Sequence, residues 1–299
     1  MNEKEIAEIL EKHAKWLNNE PGGKKAVLHG SDLHGCDLSN SNLSYSDLIN
    51  SDLSYSDLIN SDLSHSDLSN SNLRGCDLSN SNLHGCDLSH SDLSYSDLIN
   101  SDLHGCDLSH SDLSNSILSH SDLHESDLHE SDLHNSDLSN SDLRYCNLSN
   151  SDLSGCDLSC CNLSHSDLHG CNLINSDLSG AKGIATAKDY LSQFEKDRKG
   201  IIVYKAIGNT YQPLPTYWDI KPLSFLEEVV NPSRTVDCGS GVNFATLDWI
   251  KKNFEEDEIS IWKCRILWED LADVVVPYNT DGKARCARLQ LIEPLKEKP

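Results

Sequence analysis

Cysteine and histidine are the residue types in this sequence best suited to bind a metal or to take part in catalysis. The chain has 12 cysteines and 14 histidines among 299 residues. Many cysteines are separated by multiples of ten, but none forms the C-x-x-C pair of a zinc or redox site. We expect eight of them, which share one position of a five-residue repeat, to be small packing residues. They are Cys36, Cys76, Cys86, Cys106, Cys146, Cys156, Cys161 and Cys171.

Several histidines recur every 20 residues in two series. The series are His84, His104 and His124 followed by Arg144, and His90 and His110 followed by Glu130. In a structure with a 20-residue period, each series forms a vertical column on the outer surface. Such a column could bind a divalent metal. We expect instead that these solvent-facing positions vary freely and stack as aromatic rings.

Residues 181–299 offer few groups for chemistry. They contain Cys238, Cys264 and Cys286 but no histidine, so a zinc site lacks a fourth ligand of the usual kind. The run DCGSG lacks the lysine and the serine or threonine of a P-loop. A catalytic pair of Cys238 with Asp237 or Asp248 stays open. We predict no catalytic residue, no cofactor and no metal site. We expect four tryptophans to lie in the core: Trp218, Trp249, Trp262 and Trp268.

These residues must be positioned by a strict internal repeat. From Ala26 to Gly180 the sequence reads in fives without interruption, giving 31 repeats. The first position is Ser, Cys or once Ala, the second is Asp in 23 repeats and Asn in six, and the third is always Leu. A fixed period of this kind indicates a solenoid, in which each unit buries its apolar side chain against its neighbours.

A period of five fits a short extended segment followed by a corner. Leu then points inward as the large residue, Ser or Cys points inward as the small one, and the fifth residue lies in the corner. Gly or Asn occupies 19 of the 31 corners, which predicts type II turns there. We expect type I turns at the other 12 corners, which carry Tyr, His, Glu or Cys160. The ten-residue rhythm favours a four-sided coil of 20 residues, and hence about eight coils over roughly 37 Å.

The pattern [S/C/A][D/N]LXX resembles that of the pentapeptide repeat proteins over 155 residues. The segment HAKWLNNEPGGKKAVL is similar to the lead-in of bacterial members. The resemblance implies a right-handed quadrilateral β-helix. It also implies one function, because some members mimic the shape and charge of duplex DNA and bind gyrase. Those members typically dimerise through the end of the solenoid and often depend on inserted loops, and this register has no insertion.

The sequence on either side of the repeats predicts two further domains. Residues 1–25 carry a helix with one apolar face, followed by Pro21 and two glycines, and we expect it to cap the first coil. A partner-binding or membrane-surface helix is the alternative. Residues 181–299 predict an α+β domain with helices at 185–198 and 244–254 and strands at 201–207, 223–230, 259–267, 272–277 and 284–292.

Within this last domain, the stretches WEDLADVVVPYNTDGKARC and VVNPSRTVDCGSGVNF resemble a poorly characterised domain that follows pentapeptide repeats in bacterial and phage proteins. The resemblance covers most of residues 200–294. It implies no activity that could be transferred to this chain.

Charge and composition exclude several classes of partner. The net charge is −24, of which −23 lies in residues 26–180, where 23 Asp and two Glu face only Arg74 and Arg144. Direct binding to nucleic acid is therefore not expected, because it depends on Lys and Arg. No run of 18 apolar residues exists, so we expect no membrane span. The first 20 residues are charged and amphipathic and lack the apolar stretch typical of a signal peptide. We therefore expect reduced cysteines and a cytoplasmic location, and we expect a monomer.

The function predicted best is that of a non-enzymatic scaffold, in which a rod presents residues 181–299 to a protein partner. Two alternatives stay open: an acidic DNA mimic acting on a type II topoisomerase, and an enzymatic activity in residues 181–299. The repeat also stacks aspartates, such as Asp47, Asp67 and Asp87, at about 4.8 Å. We expect their repulsion to raise the folded-state pKa values, although hydrogen bonds to the carboxylates would lower them.

Overall fold

The computed structural model describes residues 1–184, 187–208, 215–231, 234, 240–254, 259–277, 280 and 282–295. The chain divides into two compact units, Met1–Ile184 and Ala185–Pro299. In the part of the chain so described, no helix combines the length and the apolar character needed to cross a bilayer.

The first unit begins with helix α1, Glu3–Leu17. Asn2 caps its start, because its side-chain oxygen accepts the Glu5 N–H at 3.0 Å while the Glu5 carboxylate accepts the Asn2 N–H at 3.0 Å. After the helix the backbone turns sharply. A Cβ atom at Gly23 would lie 2.4 Å from the Trp16 nitrogen, so only glycine fits there. The capping box and this turn fix where the helix starts and where the repeats follow.

The buried side of α1 contacts the first coil. Ile6, Ile9 and Leu10 of the helix line one small cavity with Leu28, Leu33, Leu38 and Leu43. His13 is fully buried; its Nδ1 accepts the Ala26 N–H and its Nε2–H donates to the Ser44 carbonyl, each at 3.0 Å. These two bonds fix the tautomer, and burial lowers the pKa of His13, so the ring is neutral.

The repeats form a solenoid of parallel bridges. Each second-position residue pairs with the residue 20 positions later, from Val27 with Asp47 to Asn162 with Lys182. Because each side of the coil is five residues long, four sides return the chain to the same face one strand spacing further along. The bridges therefore have the spacing that a four-sided coil requires.

Leucine and a small polar residue fill the interior of the coils. Twenty-nine third-position leucines, from Leu28 to Leu168, are buried. Leu173 and Leu178 are only half-buried, because no following coil covers them. The first-position serines and cysteines are also buried in mid-solenoid, where the Ser56 hydroxyl donates to the Leu33 carbonyl at 2.8 Å. The small side chain thus donates a hydrogen bond to a leucine carbonyl of the previous coil.

All 31 corners have one conformation. Every fifth-position residue has a φ between 55° and 73°, including Tyr45, Glu125 and Cys160. The prediction of type I turns at the 12 corners without Gly or Asn is therefore wrong, because a type I turn needs negative φ at this position. The ladder accounts for this conformation from Gly30 to Cys160, where each fifth-position N–H donates to a carbonyl in the next coil, as Tyr95 does to Ser114 at 3.0 Å. Tertiary pairing overrides the local preference of the residue.

The second unit is an antiparallel sheet of six strands in the order β2-β6-β4-β1-β3-β5, with short helices beside it. Its core includes Val203, Leu226, Phe244, Cys264 and Leu289. The elements in chain order are α2 Ala187–Ser192, β1 Gly200–Gly208, β2 Phe225–Glu227, β3 Val242–Ala245, α3 Leu247–Asn253, β4 Ile259–Leu267, a 3-10 helix Trp268–Asp273, β5 Lys283–Cys286 and β6 Arg288–Pro294.

Several element predictions for this unit are wrong in part. The helix predicted at 244–254 begins only at Leu247, because Val242–Ala245 pair with β5 and Thr246 caps α3 by accepting the Trp249 N–H. The strand predicted at 272–277 is a 3-10 helix to Asp273 and then a single bridge of Val275. Pro277 cannot donate to a continued ladder.

The other boundary errors are smaller. The strand predicted at 284–292 is two strands, β5 and β6, and the one predicted at 223–230 covers only Phe225–Glu227. The helix predicted at 185–198 ends at Ser192, and the residues after it are not helical, since Lys196 forms a bridge with Ile201. The first two residues of that prediction lie outside the described part.

Leucine burial predicts a position-dependent cost of truncation. Replacing Leu98, which is fully buried, with Ala should cost about 2–5 kcal/mol of unfolding free energy through lost contacts and a cavity. The matched change at half-buried Leu178 should cost much less. Urea unfolding of the full chain, followed by circular dichroism, measures both. Equal costs, or a Leu98→Ala variant as stable as the parent, would contradict the buried leucine ladder.

Candidate interaction surface at the corners and faces of the solenoid

One corner of the solenoid carries a continuous column of seven aromatic rings. Adjacent rings have centroids 4.8–5.7 Å apart, within the range of stacked and edge contacts. The seven-ring column consists of Tyr45, His65, His84, His104, His124, Tyr145 and His165. The predicted stacking of His84, His104 and His124 is therefore present, within a longer column. Arg144 does not continue it; its guanidinium binds Asp142, and the ring of Tyr145 takes the place in the column.

The column switches between the fourth and fifth repeat positions. Tyr45 and His65 stand at the fifth position, and the next ring, His84, stands at the fourth. A Cβ atom at Gly85 would lie 2.8 Å from His65 Nδ1, so the glycine leaves room for the ring of the previous coil. Sequence reasoning missed this, because a search at a spacing of 20 does not link residues 19 or 21 apart. Treating both corner positions as one site would have found the column.

A second corner combines tyrosine rings with a cation. The guanidinium carbon of Arg74 lies 4.6 Å from the centroid of Tyr95, and its Nη1–H donates to the Ser94 hydroxyl at 3.2 Å. The same close approach occurs here, since a Cβ atom at Gly75 would lie 2.8 Å from the Tyr55 ring. His34 meets Tyr55 edge-on at 5.7 Å. Arg74 thus lies over the Tyr95 ring in a cation–π arrangement.

A third corner contains the second predicted histidine series. The His90 and His110 rings are parallel with centroids 4.8 Å apart. His110 Nδ1 lies 3.4 Å from a carboxylate oxygen of Glu130, as the predicted order required. The series continues through His129, whose ring meets His110 edge-on at 4.7 Å. Sequence spacing missed His129, which also stands at the fourth rather than the fifth position.

The faces between the corners carry columns of carboxylates. The predicted column of Asp47, Asp67, Asp87, Asp107 and Asp127 is joined by successive bridges. Most of these side chains also bond their own corner: the Asp87 carboxylate accepts the Ser89 N–H at 3.0 Å and the Ser89 hydroxyl at 2.6 Å. This local Asx arrangement recurs along the solenoid and orients each carboxylate toward its own turn.

Hydrogen bonds lower the pKa values of several aspartates. Hydrogen bonds from Ser39 lower the pKa of Asp37, and the Ser54 hydroxyl lowers the pKa of Asp52 against the effect of partial burial. At Asp142 and Asp152, burial acts to raise the pKa, and hydrogen bonds from the residue two positions on reverse it. The expectation that repulsion raises these pKa values is wrong for these four groups, because it left out the donors within each repeat.

The inward cysteines replace the inward serines atom for atom. Seven of the eight are buried, and Cys36 in the first coil is half-buried. Each buried Sγ donates to a leucine carbonyl of the previous coil, as Cys106 does to Leu83 at 3.0 Å. Burial raises the pKa of Cys76, for example, to about 12. These thiols are therefore protonated and weakly nucleophilic at neutral pH. Cys160, at a corner, is exposed.

The candidates of the second unit do not assemble into a reactive cluster among the described residues. Cys264 and Cys286 are buried, and burial raises the pKa of each to about 12. Cys238 and Asp237 lie outside the described residues, and Asp248 is exposed at the start of α3. Of the four tryptophans, Trp262 is buried and Trp218 packs against the core, as predicted. Trp249 is half-buried and Trp268 is exposed, so a core position is wrong for Trp268.

Comparison with known families decides what the solenoid is. The sequence profile described as pentapeptide repeats matches eight copies over residues 31–70, 71–109, 106–144 and 146–182. These segments span just over half of the chain. The chain belongs to the pentapeptide repeat family. The fold of its repeats is accordingly a right-handed β-helix. No curated protein matches the chain in sequence.

Solved pentapeptide repeat proteins are similar to the chain. HetL, involved in heterocyst differentiation regulation in Nostoc sp. strain PCC 7120, is 24% identical over 60% of this chain and 94% of its own, with a TM-score of 0.33. Rfr23 from the cyanobacterium Cyanothece 51142 is 38% identical over 29% of this chain and 61% of its own, with a TM-score of 0.29. Trypsin-treated QnrB1, a plasmid-mediated fluoroquinolone resistance protein, is 20% identical over 53% of this chain and 85% of its own, with a TM-score of 0.29.

Thiol reactivity should separate the corner cysteine from the inward ones. In the native form of this pentapeptide repeat protein, Cys160 should react fast with a thiol reagent, and Cys106 should react only as the protein unfolds. Cys160→Asn, which installs the commonest corner residue, should remove one fast thiol. Cys106→Ser, which keeps the bond to Leu83, should remove none. A loss of fast reactivity in the Cys106→Ser variant would contradict the packing role.

Acid should destabilise the solenoid through aspartates such as Asp52. A carboxyl whose pKa is lower in the folded state contributes stability that is complete above its unfolded pKa of about 3.9 and is lost as pH falls through the folded value. Both Asp52→Asn and Ser54→Ala remove this contribution, which we expect to be below about 1 kcal/mol at this partly exposed site.

Thermal melts of the full chain between neutral pH and about pH 3 measure the effect. The parent should melt above both variants at neutral pH, and the difference should vanish at the acid end. A difference that grows on acidification would mean that repulsion dominates after all.

Proposed function

We propose that the chain is a non-enzymatic scaffold that binds a protein partner with a basic surface. The single observation that supports this best is the combination of exposed ring columns at the corners with carboxylate columns on the faces between them. Tyr45, Tyr55, Tyr95 and Tyr145 are all exposed large side chains. Exposed aromatic residues are enriched at protein interfaces, and an acidic surface favours a partner of opposite charge.

Charge pairing favours the solenoid over the second unit as the binding surface. In residues 26–180, 25 acidic residues face two arginines. In residues 181–299, 18 acids and 17 bases nearly balance. Two of the described arginines pair with acids: Arg265 with Asp197, and Arg288 with Glu227 at 3.1 Å. The prediction that residues 181–299 alone recognise the partner thus gives way to one in which the solenoid surface takes part.

The domain arrangement is part of the proposal. Residues 1–25 would cap the first coil, residues 26–180 would form a β-helix of about eight coils, and residues 181–299 would form an α+β domain. The contacts of Ile6 and His13 with the first coil support the cap, since they cover leucines that would otherwise meet water. The resemblance of the last domain to one that follows pentapeptide repeats remains a prediction.

The buried thiols support a reducing compartment. Seven thiols stand where serine hydroxyls stand in other repeats, and their function in packing requires that they stay reduced. We therefore propose a cytoplasmic location. The proposal also includes a monomeric state, no bound cofactor, and no direct contact with nucleic acid or membrane.

Face-specific charge removal tests the proposal. Asp67, Asp87 and Asp107 form one column, and Asp92, Asp112 and Asp132 form another on a different face. Asn occurs naturally at this position in six repeats, so a triple Asp→Asn change in either column should preserve the fold. The full chain is used as bait in an extract of its source cells, and a retained partner is then identified and titrated against the parent and both variants.

The proposal predicts that salt releases the partner. It also predicts that one triple variant binds the partner with at least tenfold lower affinity, whereas the other binds it as the parent does. Equal weakening by both would indicate nonspecific charge attraction, and a partner unaffected by either would refute the acidic-surface account.

The alternative of a DNA mimic depends on the same acidic residues of the solenoid, and a separate assay tests it. A gyrase supercoiling assay with the full chain should show no inhibition under our proposal. Inhibition that either triple variant relieves would favour the DNA mimic. For the enzymatic alternative, the thiols of Cys264 and Cys286 give no support, because buried thiols with a raised pKa are poor nucleophiles.

A further inference from the structure

Within the seven-ring column, two imidazoles and one carboxylate from adjacent coils converge. One ligand atom each of His104, Asp122 and His124 lies within 4.8 Å of the other two. The His104 and His124 rings are tilted by 44° with centroids 4.8 Å apart, whereas the His84 ring lies parallel to His104 at 2°. The tilt sets the His104 and His124 pair apart from the flat stack of His84 on His104.

The backbone holds these three side chains on a rigid support. Asp102 and Asp122 are joined by a bridge, so the two coils are in fixed register. The backbone N–H of His104 donates to Asp102 Oδ1, and the backbone N–H of His124 donates to Asp122 Oδ1, each at 3.0 Å. Both histidines are half-buried. Donor groups on paired strands lose little freedom when a ligand binds, which favours affinity.

The local charge favours a cation. The guanidinium of Arg144 interacts electrostatically with Asp122, but its charge is offset by Asp142, whose two oxygens accept its Nε–H at 2.9 and 2.8 Å. The Glu125 carboxylate lies 3.5 Å from His124 Nε2 and adds a negative charge beside the cluster. Imidazole with carboxylate is a donor set that zinc and related divalent transition metals accept.

We propose that His104, Asp122 and His124 form a binding site for a divalent transition-metal ion of the zinc class, which joins two adjacent coils. This departs from the sequence-based expectation of no metal site, since the spacing of 20 revealed the histidines but not the carboxylate between them. An ion bound to the folded coils and not to the unfolded chain also stabilises the solenoid.

Zinc titration of the metal-free full chain tests the site. His124→Ser and Asp122→Asn each remove one ligand and install a residue that the repeat already uses at that position. His84→Ser is the matched control, because it makes the same change in the same column outside the cluster. Calorimetry should show one tight zinc site per chain in the parent and the control, weakened at least tenfold in both ligand variants.

A thermal melt gives a second readout that does not depend on the stoichiometry. Zinc should raise the melting temperature of the parent and of His84→Ser, but not that of His124→Ser. The site is refuted if the parent binds zinc only in the millimolar range, or if His84→Ser weakens binding as much as His124→Ser. It is also refuted if calcium at equal concentration displaces the zinc, since calcium prefers oxygen ligands and would mark the carboxylate columns as the binder.

Discussion

The hydrogen-bond ladder between coils is the interaction on which the rest of the solenoid depends. In the repeat Ser91–Tyr95, all five backbone N–H groups have partners: a turn carbonyl, carbonyls in the coils on both sides, and the Asp92 carboxylate. A side of only five residues cannot satisfy its own backbone, so it is stable only between two others. The 20-residue register, the inward leucines and the outward carboxylates all follow from this requirement.

The ladder also accounts for a composition that would otherwise indicate disorder. Residues 26–180 contain no Phe, Trp, Pro or Met and carry a net charge of −23. In 29 of the 31 repeats the leucine is nevertheless buried, and most of the Ser and Cys residues beside these leucines donate to a leucine carbonyl, as Ser56 and Cys106 do. At the corners, the ladder holds even Tyr and Glu in a conformation that glycine adopts most easily. Because the ladder fixes the backbone, the surface side chains of successive coils stack in columns. The ring columns and the carboxylate columns form the surface that we propose binds the partner.

Sequence alone was sufficient where the repeat was strict. It predicted the inward leucines, the packing cysteines and the stacked aspartates, because each depends only on position within the five residues. It failed where the fourth and fifth repeat positions contribute to the same ring column, as in the step from His65 to His84. It also failed where hydrogen bonds between coils override the turn preference of a residue, as at Glu125. In the second unit no repeat exists, so β3, which depends on pairing with β5, was missed, and with it the start of α3 after Thr246.

Hydrogen–deuterium exchange of the native full chain tests the central claim most directly. If the ladder holds the coils, the leucine amides between about residues 40 and 160 should exchange many orders of magnitude more slowly than in an unstructured chain, and as one cooperative block. The fourth-position amides, which bond an exposed carboxylate rather than a carbonyl, should exchange faster. Exchange of the leucine amides at the rate of an unstructured peptide would contradict the account.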